Sequence, residues 1–544
     1  MARMIKANPC LTSLVKRVAT RIYNDIHPLV EEDVQRYVEN HVDIAFPLLD
    51  KLLNVSEDKN LDHFDQAALV LLSEIICFTN FHLEQKRRWA TAFINEFQSS
   101  IAKQALAGCL NITILQYLFD ILRHNETPIN DTLRQANAAL LDNYTDSSGI
   151  TVQDINNLLE DIANHTHNSP YEMYEQLMSQ THQIVPVEVQ LLMINEMAQA
   201  NLPLIRETAI LMLLHPDKNV RYYVAYILAK QPKLITATSL RRLIILRNWL
   251  PTGEQPAVDR LIKLARRHHI DCEAWPKARI LKIMATSFDG VGAQSILAVT
   301  EKNGQYHLGG LLIKENSGVR EPLLFNTHKK NEIDQIIRNL VAELPCIPVQ
   351  EGYLDAVVSH FVAIGLQNNQ VPSPLLLGFA EMLGASHWRA EKFNATLTLN
   401  QLILDLNGNS LETDIITKVL RKSKEWINNK DFAESWFEHD DEVDDIVHNM
   451  MHECSKEKQN FSEVVDAICT EILEPRRQKW QHRLLWMALW AKANTRKNGP
   501  NWQDFFILAH ALFEGKPVKE IPLMKAISIE TANMATKQSY HQCS

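Results

Sequence analysis

A chain of 544 residues exceeds the length at which one hydrophobic core stops growing, so roughly two to four core units are expected. Hydrophobic residues make up 46% and charged residues 22%, the ordinary balance of a soluble globular protein, and the formal net charge of -10 disfavours a dedicated nucleic-acid binder. Only 16 glycines leave few tight turns and favour long helices.

The eight cysteines (Cys10, Cys77, Cys109, Cys272, Cys346, Cys454, Cys469 and Cys543) are scattered, with no C-x-x-C pair and no short regular spacing. This pattern points to reduced thiols and a cytoplasmic location rather than to a disulfide framework or a zinc knuckle. Sequons such as Asn54-Val55-Ser56 and Asn143-Tyr144-Thr145 therefore carry no weight.

At the N-terminus, Arg3, Lys6, Lys16, Arg17 and Arg21 precede the first acid, Asp25, and Leu11, Leu14, Val15, Val18 and Ile22 fall at helical spacing. The composition imitates a transit peptide, but a first amphipathic helix is the expectation. The longest apolar run, "AALVLLSEIICF" at 67 to 78, is too short for a membrane span and is interrupted by Glu74, so a buried helix is predicted and no span. From residue 1 to 275 apolar positions recur at three- and four-residue spacing, broken by turn clusters such as "NVSEDKN" and "HNETPIND", which predicts helix after helix.

Within this region, "PLIRETAILMLLHPDKNVRYYVAYILAKQP" at 203 to 232 divides into a helix ending near Leu214, a turn at His215 to Lys218 and an amphipathic second helix that stops before Pro232. With Asp217 in the turn and Val220-Arg221 opening the second helix, the stretch resembles a HEAT repeat. The resemblance covers these residues alone, and no second copy is clear at the expected period. It implies an irregular α-solenoid region whose stacked helix pairs bind partners.

Residues 233 to 282 hold eleven Lys and Arg against four Asp and Glu, so their field has the opposite sign to that of the whole chain. In "VDRLIKLARRHHI", Val258, Leu261, Ile262 and Ala265 share one face of a helix, while Arg260, Lys263 and Arg267 line the other. With Arg266, Arg241 and Arg242 they form the candidate partner-binding set, a cationic ridge suited to an acidic protein surface. Two alternatives are nucleic-acid phosphates and the acidic 431 to 446 stretch of the same chain.

Near residue 276 the pattern changes to short apolar runs with Gly-bearing breaks, and Asn303-Gly304 supplies the positive-φ residues of a tight hairpin. An antiparallel β-meander over 276 to 327 follows. The Gly-rich "DGVGAQS" at 289 to 295 lacks the Gly-Lys-Ser/Thr of a phosphate loop and leads into another strand, so it reads as a hairpin connection. A second helical region is expected over 328 to 526, its Trp-rich "RLLWMALWAKA" being core, followed by a polar, frayed tail at 527 to 544.

The best metal-like cluster is Asp441, Asp445, His448 and His452, at i, i+4, i+7 and i+11 on one helical stripe. Val443, Ile446, Val447 and Met450 take the opposite side, which makes the stripe a solvated acidic face and leaves these four as weak metal candidates. His439-Asp440 resembles the His-Asp pair of HD-type phosphohydrolases, an all-helical metal-dependent family, for which His387 and Asp504 would have to supply the missing ligands. There is no nucleophile elbow and no His-Glu-x-x-His pair. The fold expected is mainly α with a small antiparallel sheet between two helical regions. The function expected is a protein-interaction scaffold without a cofactor, with the metal-dependent phosphohydrolase and the nucleic-acid binder as alternatives.

Overall fold

The computed structural model describes the backbone of residues 9–24, 31–53, 55, 61–125, 127–145, 151–181, 185, 187–320, 322–325, 327–406, 412–429, 435–452, 457–497 and 499–542. It is mainly helical, with one small antiparallel sheet in the middle of the chain. Two compact units form, one of residues 1–155, 176–190 and 540–544, the other of residues 156–175 and 191–539. The sheet therefore shares a unit with helices from both sides of it, and the division falls inside the predicted first helical region.

The first unit holds α1 (Pro9–Tyr23), α2 (Glu32–Asn40), α3 (Ala45–Leu52), α4 (His63–Glu84), α5 (Arg88–Leu106), α6 (Ile112–His124) and α7 (Asp131–Thr145). Asp62 caps α4 by accepting the backbone N–H of Phe64 and Asp65 at 2.8 and 2.9 Å. Among the described residues α4 is the one helix long and apolar enough to cross a membrane. It packs instead against α1, α2, α3, α5 and α6, with Ala67, Ala68, Leu71, Leu72, Ile75 and Ile76 fully buried. Helices α8 (Val152–His165), α9 (Pro170–Thr181) and α10 (Val187–Gln199) run across the division.

The second unit continues with α11 (Pro203–Leu211), α12 (Lys218–Lys230), α13 (Ala237–Leu246) and α14 (Gln255–Arg267). Strands β1 (Arg279–Thr286), β2 (Ala293–Lys302) and β3 (Gln305–Lys314) form the meander, joined by the short β4 (Gly318–Val319) and β5 (Leu323–Leu324). The β2–β3 turn has Asn303 at φ 53° and Gly304 at φ 79°, the tight hairpin that this dipeptide predicts. A sixth strand, β6 (Cys346–Pro348), lies outside the predicted meander and pairs antiparallel with Met284 to Thr286. Three residues between helices are too short to show an alternating pattern.

The remaining helices are α15 (Lys330–Glu343), α16 (Glu351–Gln367), α17 (Leu375–Leu383), α18 (Ala395–Asp405), α19 (Thr413–Lys422), α20 (Asp441–His452), α21 (Glu457–Ala467), α22 (Arg477–Lys492), α23 (Trp502–Phe513) and α24 (Pro522–Gln542). Helix α22 carries the Trp-rich stretch and is core, and its Trp490 Nε1 donates to the Ala285 carbonyl of β1 at 3.1 Å. Trp436 Nε1, in the segment before α20, donates to the carbonyl of Phe288 in the β1–β2 connection at 2.9 Å. At Gly309 a Cβ would meet the Phe379 ring at 2.7 Å, so glycine lets α17 lie directly on β3.

The tail expected to fray from residue 527 is the body of α24. Ile527, Ser528, Thr531 and Ala532 are all fully buried. The two hydroxyls are satisfied inside: Ser528 Oγ donates to the Val465 carbonyl at 2.7 Å, and Thr531 Oγ1 accepts the Glu438 backbone N–H at 3.0 Å. Polar residues of this size enter a core at little cost once their hydrogen bonds are made.

Candidate partner-binding surface

The surface is built on α11 to α14. Helix α11 starts with Pro203 at its first position, where a missing N–H costs nothing, and tightens into a 3₁₀ turn at Met212–Leu214. Asp217 then caps α12, its carboxylate accepting the Asn219 N–H at 2.7 Å. On α12, Val220, Val224, Ile227 and Leu228 face the core, and Arg221 is buried with them. The Arg221 guanidinium donates from Nε and Nη2 to the two oxygens of Glu254, both at 2.7 Å, and from Nη1 to the carbonyls of His215 and Pro216 at 2.7 and 2.8 Å. Glu254 is the N-cap position of α14, so this pair fixes the starts of α12 and α14 together, and the two helices pack side by side.

Arg241 and Arg242 do not belong to the exposed ridge. Both are buried on α13, and a carboxylate from a distant helix accounts for it. Glu381 of α17 accepts from Arg241 Nη2 at 2.6 Å and from Arg242 Nε and Nη2 at 2.9 and 3.1 Å. Arg241 also reaches Glu273 at 2.7 Å, Arg242 reaches Glu207 of α11 at 2.9 Å, and the Tyr171 hydroxyl donates to Glu381 at 2.7 Å. Burial opposes the charge on Glu381, but the hydrogen bonds and charge of Arg242, with Arg241 beside it, hold its carboxyl below the usual carboxylate range. Burial also raises the Tyr171 phenol, which keeps it protonated as a donor. These arginines join helices within the fold and lie beneath its surface.

The cations of α14 behave as predicted from its periodicity. Val258, Leu261, Ile262 and Ala265 are buried, while Arg260, Lys263, Arg266 and Arg267 are exposed. None of these four makes an ion pair among the described residues. Of the four acids in this segment, Glu254 is engaged by Arg221, Asp259 by Arg247 and Glu273 by Arg241, while Asp271 is exposed. Of the acidic stretch considered as an internal partner, residues 431–434 lie outside the described residues, and Glu438, Asp440 and Glu442 are taken within the fold. Arg476 pairs with Glu438, Asp440 and Glu442 at 2.7, 2.6 and 2.6 Å, and Lys479 adds a second cation to Glu438 at 2.9 Å.

Beside α14, helix α12 exposes a stripe that the cationic pattern alone does not single out. Lys218, Tyr222, Tyr226 and Lys230 recur at every fourth residue on the side opposite its apolar face. Tyr222 and Tyr226 are 41% and 51% exposed, more than packing requires. Lys218 lies 5.5 Å from the Tyr222 ring centroid and Lys230 lies 4.4 Å from that of Tyr226. The signal is written in the sequence as Lys-x₃-Tyr-x₃-Tyr-x₃-Lys. The tryptophans that flank the basic segment are not platforms of this kind: Trp249 is fully buried, and Trp275 is half-buried under Arg241.

The other candidates are dispersed. On α20, Val443 and Val447 are buried, and Asp445 and His448 face outward as the periodicity predicts. Asp441 is half-buried, and the side chain of His452 lies outside the described residues. Among the described residues no group of three His, Cys, Asp or Glu side chains is placed to hold a metal ion. For the phosphohydrolase-like set, Asp440 is held by Arg476, His387 pairs with Asp355 at 3.0 Å, and Asp504 accepts from Asn501 at 3.0 Å.

Family models match three successive stretches of the chain: the Y4lR second domain over residues 186–269, a domain of unknown function (DUF7401) over 276–378, and the Y4lR C-terminal helical domain over 398–536. The exposed faces of α12 and α14 thus lie in the stretch similar to the Y4lR second domain, and the sheet in the stretch similar to DUF7401. No solved structure matches the chain. The uncharacterized protein y4lR of Sinorhizobium fredii (strain NBRC 101917 / NGR234) is 24% identical over 291 residues, which are 53% of this chain and 54% of that protein, so the chain spans about half the length of this curated relative.

Proposed function

We propose that the chain is an interaction scaffold of the cytoplasm, with a HEAT-like helical region that captures an acidic protein partner on the cationic face of α14. One observation carries the reading: Arg260, Lys263, Arg266 and Arg267 are exposed and make no ion pair among the described residues, while Glu254, Asp259 and Glu273 close by are engaged elsewhere. A positive field on a chain of net negative charge steers acidic surfaces toward this face and repels them from the rest. The neighbouring helix pair, tied through Arg221 and Glu254, gives the face a rigid base, which lowers the ordering cost of binding.

The test is capture from cell lysate by the wild-type chain and by an Arg260→Glu/Lys263→Glu/Arg267→Glu variant, each with and without nuclease. The reading expects captured protein that survives nuclease and is lost with charge reversal. Equal capture by the variant removes α14 as the binding face, and loss on nuclease treatment transfers the face to nucleic acid.

A further inference from the structure

The two exposed tyrosines on α12 specify more about the partner than its charge. A purely electrostatic surface needs no aromatic rings in solvent, yet Tyr222 and Tyr226 stand one turn apart between Lys218 and Lys230. Helix α14, which packs against α12 with its start fixed by the Arg221–Glu254 pair, exposes Arg260, Lys263 and Arg267. Aromatic anchors surrounded by cations are the composition of a binding centre with a charged rim, since Tyr and Arg dominate interface energetics while rim charges mainly steer.

We infer that the segment captured on this face is acidic and amphipathic, with apolar side chains that seat on Tyr222 and Tyr226 and carboxylates that meet Lys218, Lys230 and the α14 cations. This rests on the acidic-partner reading and adds the apolar half of the recognition. The spacing of the stripe sets the occupant's pattern: rings one helical turn apart match apolar residues three or four positions apart on a partner helix. Charge complementarity alone would accept any polyanion. The tyrosines restrict the choice to acidic segments that carry apolar groups, and each lysine on a ring keeps that ring's cationic flank in place.

The experiment uses the full chain and three fluorescein-labelled probes of equal charge: a peptide of glutamates, a glutamate peptide with leucine or phenylalanine at every fourth position, and oligo-dT. Binding is read by fluorescence anisotropy at low and high salt. The amphipathic peptide is expected to bind about tenfold more tightly than the glutamate peptide. Tyr222→Ala/Tyr226→Ala should abolish that difference and leave the glutamate peptide unchanged, whereas Tyr222→Phe/Tyr226→Phe should retain it. Both tyrosines are exposed, and circular dichroism checks that each variant remains folded.

Equal binding of the two peptides, or an alanine variant that keeps the preference, overturns the apolar anchoring while leaving the acidic-partner reading standing. Tightest binding of oligo-dT overturns both in favour of nucleic acid stacked on the rings. Failure of wild-type chain to bind either peptide at low salt overturns the acidic-partner reading, and the inference with it.

Discussion

Arg221 and Glu254, 33 residues apart, form a buried two-pronged ion pair with both N–O distances at 2.7 Å, and each belongs to the first turn or cap of a different helix. Removal of one partner leaves a buried charge unmet. Arg221→Ala or Glu254→Ala should therefore destabilise the fold by about 3–5 kcal/mol, and Arg221→Met/Glu254→Leu by much less, because the double change removes both charges. Urea denaturation of the three variants measures this. A double variant as unstable as the singles would mean that the carbonyls of His215 and Pro216, not Glu254, are what Arg221 chiefly satisfies.

Two kinds of arginine, close in sequence, should respond in opposite ways. Arg242→Ala strips Glu381 and Glu207 of a buried partner and should cost about 3–5 kcal/mol of stability. Arg260→Ala changes an exposed residue and should stay within about 0.5 kcal/mol of wild type. In binding the order reverses: charge removal on α14 flattens the salt dependence of partner capture. Denaturation midpoints alongside binding at two salt concentrations separate the two roles.

Acid should weaken the second unit through a buried histidine. His360 of α16 lies against Trp486 and Phe393, with ring centroids 5.3 and 5.9 Å away, and its Nδ1 accepts the Phe393 N–H at 2.9 Å. Burial, with repulsion from His482, holds its pKa down at about 4. His482 is itself lowered by burial. The unfolded chain takes up a proton near pH 6.5. The native chain resists until about pH 4. The stability is thus fully present above pH 6.5 and is lost as the pH falls from there toward 4, by about 2 kcal/mol once partial exposure is allowed for. The urea midpoint should be lower at pH 5 than at pH 7.5, and His360→Phe should flatten the difference. A wild-type midpoint that does not move over this range contradicts the assignment.

The buried C-terminal helix makes its own prediction. Thr531→Val keeps the shape of the side chain but removes the oxygen that accepts the Glu438 N–H, and an unsatisfied buried donor costs about 1–3 kcal/mol. Thr536, half-buried and bonded to its own helix through the Ala532 carbonyl, should tolerate the same change. Thermal unfolding of Thr531→Val and Thr536→Val compares them directly. Equal melting temperatures would contradict the role given to Thr531.

What the sequence makes legible here is local. The apolar stripe Val258, Leu261, Ile262 and Ala265 places Arg260, Lys263 and Arg267 outside, because a helix of fixed period has only one other side. Asn303-Gly304 likewise carries its own turn conformation. Arg241 and Arg242 were not legible in this way, since their burial depends on Glu381, about 140 residues away on α17, and no periodicity encodes that encounter. The same holds for α24, whose Ser528 and Thr531 read as surface until Val465 and Glu438 supply their bonds. The tyrosine stripe was legible in principle. Its spacing is regular, but rings at helical spacing usually belong to a core, and only their exposure distinguishes these two.

The bond between Glu438 and Thr531 spans 93 residues of chain. At a synthesis rate of about 5–20 residues per second, Glu438 is synthesised roughly 5–20 s before its acceptor exists. During that interval Arg476 and Lys479 also emerge after it, so the carboxylate that ends up buried begins life in water without its two cationic partners. The C-terminal helices thus close around Glu438 late, and a pause in translation between α20 and α24 would leave an unfinished core exposed to chaperones and proteases.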